Sequence, residues 1–185
     1  MSAAAEPSPA LRRGPNVLLI GMMGAGKSTV GSILAATLGA DFVDSDAEIY
    51  ARTGRSVPEI WKSDGEAAFR AEEAAALAGA LSGERRCVVG VAGGAVLDPA
   101  NRDLIRRGGT VVWLRARPET LAGRVGSGEG RPLLEGDPAG NLRRLDAERR
   151  PLYAELADVV VDVDGIGPEE VAEAVLGALG HPRGA

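Results

Sequence analysis

Residues 21–30, GMMGAGKSTV, put Gly21, Gly26, Lys27 and Ser28 in the spacing G-x-x-x-x-G-K-[ST]. Glycines at 21, 24 and 26 allow backbone N–H groups to converge on anionic oxygens, and a helix opening at Lys27 adds its dipole and its free donors. A compact ammonium at 27 can reach terminal phosphates, and a hydroxyl at 28 suits Mg²⁺. The competing reading is a glycine-rich turn with a chance lysine. Only Lys27 and Lys62 among 21 basic residues are lysine, so an ammonium at this position is a specific choice. Gly24, Ala25, Gly26, Lys27, Ser28 and Thr29 are therefore assigned to a nucleotide. The loop says that phosphate is gripped; it does not say where the phosphate goes.

The remaining chemistry must come from Asp, Glu, Lys, Arg and a bound ion, because the only histidine, His181, lies in the C-terminal tail. Asp44 and Asp46, in DSD, directly follow an apolar run. One carboxylate there can hold Mg²⁺ through its water shell, while the other accepts a proton or hydrogen bond from an attacking hydroxyl. Helix capping competes for either acid. In AFRAEE (68–73), Arg70 and Glu73 share a helix face, which by itself reads as an ion pair on a solvated surface. In AGGAV (92–96), the N–H groups of Gly93 and Gly94 can approach a ligand closely, unless the segment is a plain tight turn. Arg131 opens RPLL, and Arg149 and Arg150 precede a proline expected to disturb its helix.

The apolar runs 16–20, 41–43, 87–91, 110–114 and 158–163 do not alternate, as expected for strands buried on both faces of a parallel sheet. Helical spacing fills the gaps; in the last such segment Val171, Val175 and Leu179 recur every four residues after Pro168. The pattern predicts an α/β domain over 16–180, with helices on both faces of five parallel strands. Residues 45–82 break near Gly54 and Gly65 into three helical pieces, enough for a small cap. Residues 126–140, with five glycines and two prolines, read as a mobile lid. Residues 1–15 read as a disordered tail and 181–185 as a second one. The 185-residue chain carries a net charge of −5, which argues against nucleic acid. It has no apolar run of membrane-spanning length. With one cysteine, Cys87, it is expected in a reducing compartment, the cytoplasm.

The order of these motifs resembles the shikimate kinase family, small P-loop kinases of the nucleoside-monophosphate kinase fold. The resemblance runs over about residues 16–179. It rests on DSD after the second strand, FRAEE behind DGE (64–66), GGAV after the third strand, RPLL and ERRPLY, with TGRSVPEIW (53–61) similar to the family's substrate-binding region.

The resemblance implies ATP and shikimate as substrates, Mg²⁺ as the ion, and transfer of the γ-phosphoryl group to the 3-hydroxyl of shikimate. It implies that Asp46 contacts the acceptor's hydroxyls, Asp44 and Ser28 serve the metal, and Arg70 and Arg149 grip the acceptor's carboxylate. Glu73, Gly93 and Gly94 complete the acceptor site. Arg131 and Lys27 attend the phosphates, and Arg124 packs near adenine. Catalysis falls to Lys27, Asp46 and Arg131 in a monomeric enzyme. Two departures stand out: Ala92 replaces the family's first glycine, and no arginine follows the last strand around 162–168. The rivals are a kinase for another hydroxy acid such as gluconate, and a catalytically impaired, regulatory nucleotide binder, which Ala92 would favour.

Overall fold

The computed structural model describes residues 6–7, 16–83 and 85–181. In chain order the elements are β1 Glu6–Pro7, β2 Asn16–Ile20, α1 Lys27–Leu38, β3 Asp41–Asp44, α2 Ser45–Thr53, α3 Val57–Leu81, β4 Cys87–Gly90, α4 Pro99–Gly108, β5 Gly109–Arg115, α5 Pro118–Val125, α6 Pro138–Leu156, β6 Val159–Asp162 and α7 Pro168–Ala178. The tails expected at 1–15 and 181–185 lie outside the described residues, apart from Glu6–Pro7 and His181.

All five residues of β2 are buried, because helices cover both faces of the strand and leave no alternation to read. The sheet order is β1-β6-β5-β2-β4-β3, with β3, β4, β2, β5 and β6 mutually parallel. Five parallel strands were expected; β1 adds two residues antiparallel to β6 at the edge. From β2 the chain passes to β3 and β4 on one side and then crosses to β5 and β6 on the other. That reversal makes the carboxyl end of β2 the topological switch point, where such sheets hold their ligands. Register puts Asp44 beside Gly90 and Leu19 beside Gly90. The ends of three strands therefore meet in one row at the head of the sheet.

The main core is built on β2, β4 and β5, with Leu18, Val88, Val89, Val111 and Val112 inaccessible to solvent. Burying each such side chain contributes about 1.5–3 kcal/mol. β3 departs from the expected pattern: Asp41 is exposed and Phe42 to Asp44 are half-buried, because an edge strand lacks a neighbour on one side.

A second, smaller core joins α2 to α3. Ile49, Ile60, Phe69 and Ala76 form it, with Val57 and Trp61 packed against them. The Trp61 and Phe69 rings lie 5.5 Å apart, tilted by 58°. The three helical pieces expected over 45–82 are present, because α2 ends at Gly54 and α3 breaks at Gly65, whose φ of 83° a side-chain-bearing residue adopts only with strain.

One expectation, at Pro151, needs correction. Pro151 does not disturb its helix, since α6 continues to Leu156. Leu145, Arg149, Tyr153 and Leu156 bury one face of that helix, and tertiary packing outweighs the one lost backbone hydrogen bond. The glycine-rich stretch 126–140 also contains a turn of 3₁₀ helix, Pro132–Leu134, with Leu134 fully buried. That one side chain anchors the stretch to the core. No helix among the described residues is long and apolar enough to cross a membrane.

Candidate active site

β2 ends at Ile20 and α1 begins at Lys27, so the six intervening residues form the phosphate loop. Gly26 caps α1 with a φ of 95°, a left-handed conformation that turns its N–H into the loop. Lys27 Nζ donates to Gly21 O at 2.8 Å and to Met22 O at 3.0 Å. Burial lowers the Lys27 pKa to about 8, opposed by Asp46 and Asp44 and reinforced by Arg149 and Arg131. An ammonium under that strain gains strongly from a polyphosphate.

Asp44 caps α2 and also meets Ser28. Its Oδ1 accepts from the N–H groups of Asp46 and Ala47, capping α2. Its Oδ2 accepts from Ser28 Oγ at 2.5 Å. Two hard oxygen donors thus adjoin at the first turn of α1, a donor set that fits Mg²⁺. No group of three or more His, Cys, Asp or Glu among the described residues could hold a metal alone. That fits an ion which keeps most of its waters and takes its remaining ligands from phosphate. Asp46 remains solvent-accessible at the cleft mouth. Desolvation first, then the Asp44 carboxylate, raise its pKa, against Lys27 and Arg131.

Across the cleft, Arg70 Nη1 donates to Glu73 Oε2 at 2.5 Å and Nη2 to Glu66 Oε1 at 3.1 Å. This pair does not lie on a solvated face. Glu73 is 3% exposed, and both residues line the cleft. Burial raises the Glu73 pKa, while Arg70 pulls it down. Arg149 reaches the same cleft from α6 at 1% exposure, and its Nε and Nη1 have no hydrogen-bond partner. A buried guanidinium with two open donors is costly, unless an anion completes it.

Gly93 and Gly94 lie close against the arginines of the site. A Cβ on Gly94 would lie 2.0 Å from Arg70 Nη1, and one on Gly93 would lie 3.3 Å from Tyr153 Oη and 3.5 Å from Arg149 Nη1. Ala92 sits just outside this squeeze, partly buried and packed against the main core.

The cleft encloses about 350 Å³, enough for a small acceptor beside a triphosphate. It is lined by Gly24, Gly26, Lys27, Ser28 and Thr29 of the phosphate loop and α1, together with Asp46, Arg70, Glu73, Gly93, Gly94, Arg131 and Arg149. Lys27, Arg70, Arg131 and Arg149 outnumber Asp44, Asp46 and Glu73 there, a local positive field in a chain of net charge −5. Ala25 is buried under the loop. Arg124 stands outside the cleft, donating to Gly24 O at 3.3 Å and Val163 O at 3.0 Å. It ties the phosphate loop to the end of β6, the place where the chain has no arginine of its own.

Sequence reasoning passed over two residues. Ser45 Oγ donates to Gly90 O at 2.9 Å and accepts from Ala92 N at 3.1 Å. Tyr153 Oη donates to Gly93 O at 2.8 Å. Both sit inside quoted motifs, Ser45 between the two acids and Tyr153 one helical turn after Arg149. That spacing was the available signal.

A phosphate loop at the switch point of a five-stranded parallel sheet, facing a helical cap, defines a P-loop kinase for a small acceptor. The family model for shikimate kinase matches residues 23–180. A shikimate kinase from Halorhodospira halophila is 49% identical over 90% of this chain and 94% of its own length. A shikimate kinase from Acinetobacter baumannii, solved in complex with shikimate, superimposes with a TM-score of 0.86 at 36% identity, over 91% of this chain and 94% of that one. A gluconokinase from Sinorhizobium meliloti, 24% identical with a TM-score of 0.61 over 91% of this chain and 94% of its own, shares the fold alone. The chain belongs to the shikimate kinase family.

Proposed function

We propose that the chain transfers the γ-phosphoryl group of ATP to the 3-hydroxyl of shikimate, giving shikimate 3-phosphate and ADP. The observation that carries this reading is the buried Arg149, with Nε and Nη1 open, on the same cleft as Arg70. Two planar guanidinium groups suit one carboxylate through paired, charge-assisted hydrogen bonds. Gluconate also carries a carboxylate, but family membership and the identity levels favour shikimate.

In this reading the acceptor's carboxylate rests between Arg70 and Arg149, which turns its hydroxyl toward Asp46. The hydroxyl oxygen bonds to the γ-phosphorus as the bond to the β-phosphate oxygen breaks, and the hydroxyl proton passes to Asp46. Lys27 leaves the carbonyls of Gly21 and Met22 for the phosphates, and Arg131 meets the charge on the transferring group. Gly24 to Thr29 cradle the phosphates, and Arg124 borders the adenine. Glu73 holds Arg70 in place. Mg²⁺, held by Ser28 and Asp44, would supply charge neutralisation between the phosphates. Residues 126–140 act as the lid that excludes water.

The regulatory alternative rested on Ala92, whose methyl packs toward the core, and it gains nothing here. The reading includes a monomer in the cytoplasm, a compartment in which the single cysteine, Cys87, stays reduced.

The test is ADP release with ATP and Mg²⁺ against shikimate, quinate, gluconate, nucleoside monophosphates and water. Shikimate gives the highest kcat/KM, and water is far slower. Faster turnover on gluconate or a nucleotide overturns the assignment.

A further inference from the structure

The loop 92–94 separates the two arginines of the acceptor site. Gly94 lies directly under the Arg70 guanidinium, Gly93 beside Arg149 Nη1, and Gly93 also abuts the phosphate loop, its Cβ position 3.2 Å from Gly21 O. A shift of this loop therefore changes the spacing of both guanidinium groups at once. A side chain at 94 would displace Arg70, and one at 93 would press on Gly21 O and Tyr153 Oη. Backbone bonds from Ala95 N to Ala92 O and from Leu97 N to Gly94 O close the turn, and two hydroxyls outside it tie the turn to the rest of the site. Ser45, 5% exposed, bridges Gly90 O and the Ala92 N–H with one oxygen. Tyr153, inaccessible to solvent, holds Gly93 O from the opposite side. Ser45 belongs to the turn carrying Asp44 and Asp46, and Tyr153 to the helix carrying Arg149.

We propose that Ser45 and Tyr153 are positioning residues that clamp the 92–94 loop and thereby set the distance between Arg70 and Arg149. Neither hydroxyl touches the reacting atoms: Ser45 acts through the loop's backbone, and Tyr153 through that backbone and through the neighbouring Arg149 side chain. The inference rests on the acceptor reading given above, and two measurements separate the failure of one from the failure of the other.

The first is steady-state kinetics of Ser45→Ala, Ser45→Thr and Tyr153→Phe, each at a temperature well below its own Tm. Ser45→Ala raises the KM for shikimate about tenfold, the equivalent of one lost hydrogen bond at about 1.4 kcal/mol, and leaves the KM for ATP within about twofold. Ser45→Thr, which keeps the hydroxyl, recovers most of the loss. Tyr153→Phe keeps the ring packing and raises the same KM. The second is backbone hydrogen exchange of the full chain without ligands. Segment 90–97 exchanges about tenfold faster in Ser45→Ala while β2 and α1 keep their protection. An unchanged shikimate KM in both Ser45→Ala and Tyr153→Phe overturns the proposal. A uniform rise in exchange along the chain, with both KM values moving together, also overturns it, because that is general loosening. If the wild-type chain leaves shikimate untouched, the acceptor reading fails, and the exchange measurement still decides the clamp.

Discussion

The two ends of one sheet treat buried polar groups in opposite ways. At the foot, Asn16 is 4% exposed and both ends of its amide are occupied. Nδ2 donates to Gly108 O at 3.0 Å, and Oδ1 accepts from Cys87 N at 3.1 Å and from its thiol at 3.3 Å. Asp158, 8% exposed, likewise accepts from Val111 N at 2.9 Å. At the head, Arg149 is more deeply buried, yet Nε and Nη1 have no partner. Lys27 leans on carbonyls with a depressed pKa. A polar group satisfied by its own chain stabilises the fold, and one left open stores binding energy for something else. Substitutions at the head should therefore hurt chemistry more than stability, and substitutions at the foot the reverse.

The largest effect is expected at Asp46. Asp46→Asn should lower kcat about a thousandfold, within the range for loss of a proton acceptor, while the KM for ATP stays close to wild type. Asp44→Asn should instead raise the Mg²⁺ requirement. Identical behaviour of the two variants in a magnesium titration would remove the division of labour between the acids. Next comes Arg149→Met, a pair of opposite outcomes. The KM for shikimate should rise about a hundredfold, and Tm in the absence of ligands should rise by a few degrees, because a buried guanidinium with two open donors is gone. A lower Tm with an unchanged KM would make Arg149 a residue of the fold.

Asn16→Ala sharpens the contrast from the other end. It leaves the Cys87 N–H and Gly108 O without their partner, at a cost of about 1–3 kcal/mol, and should lower Tm while kcat and both KM values hold. Loss of activity without loss of stability would break the comparison. The smallest effect is in pH. Because the free enzyme's Lys27 pKa is depressed to about 8, kcat/KM for ATP should fall above about pH 8 as the ammonium deprotonates. At saturating ATP the phosphates restore the proton, so kcat holds to higher pH. On the acid side, the raised Asp46 pKa should place the fall in kcat/KM for shikimate above the ordinary carboxylate range. Matching alkaline limbs in kcat and kcat/KM would contradict the role of Lys27.

Short-range chemistry was legible in the sequence. The phosphate loop, the DSD acids, the strand at 16–20 and the breaks at Gly54 and Gly65 all depend on neighbours in the chain, and a local pattern carries them. What stayed hidden depends on distant partners. The Arg70–Glu73 spacing reads as a surface pair until Glu73 is seen buried in the cleft. Pro151 reads as a helix breaker until the buried face of α6 holds it. Ser45 meets Gly90 and Ala92 across 45 and 47 residues, and Tyr153 meets Gly93 across 60. No spacing rule spans such distances. The two residues of β1 are too few to form any pattern.

The most direct test of the unsatisfied guanidinium as an acceptor site is calorimetric binding of shikimate and of its methyl ester, which keeps the ring and hydroxyls but removes the negative charge. Charge-assisted hydrogen bonds contribute about 1.5–3 kcal/mol each. The ester should therefore bind at least about a hundredfold more weakly than shikimate to the wild-type chain, about 2.7 kcal/mol, and Arg149→Met should erase most of that difference. Equal Kd values for acid and ester on the wild-type chain would contradict the account.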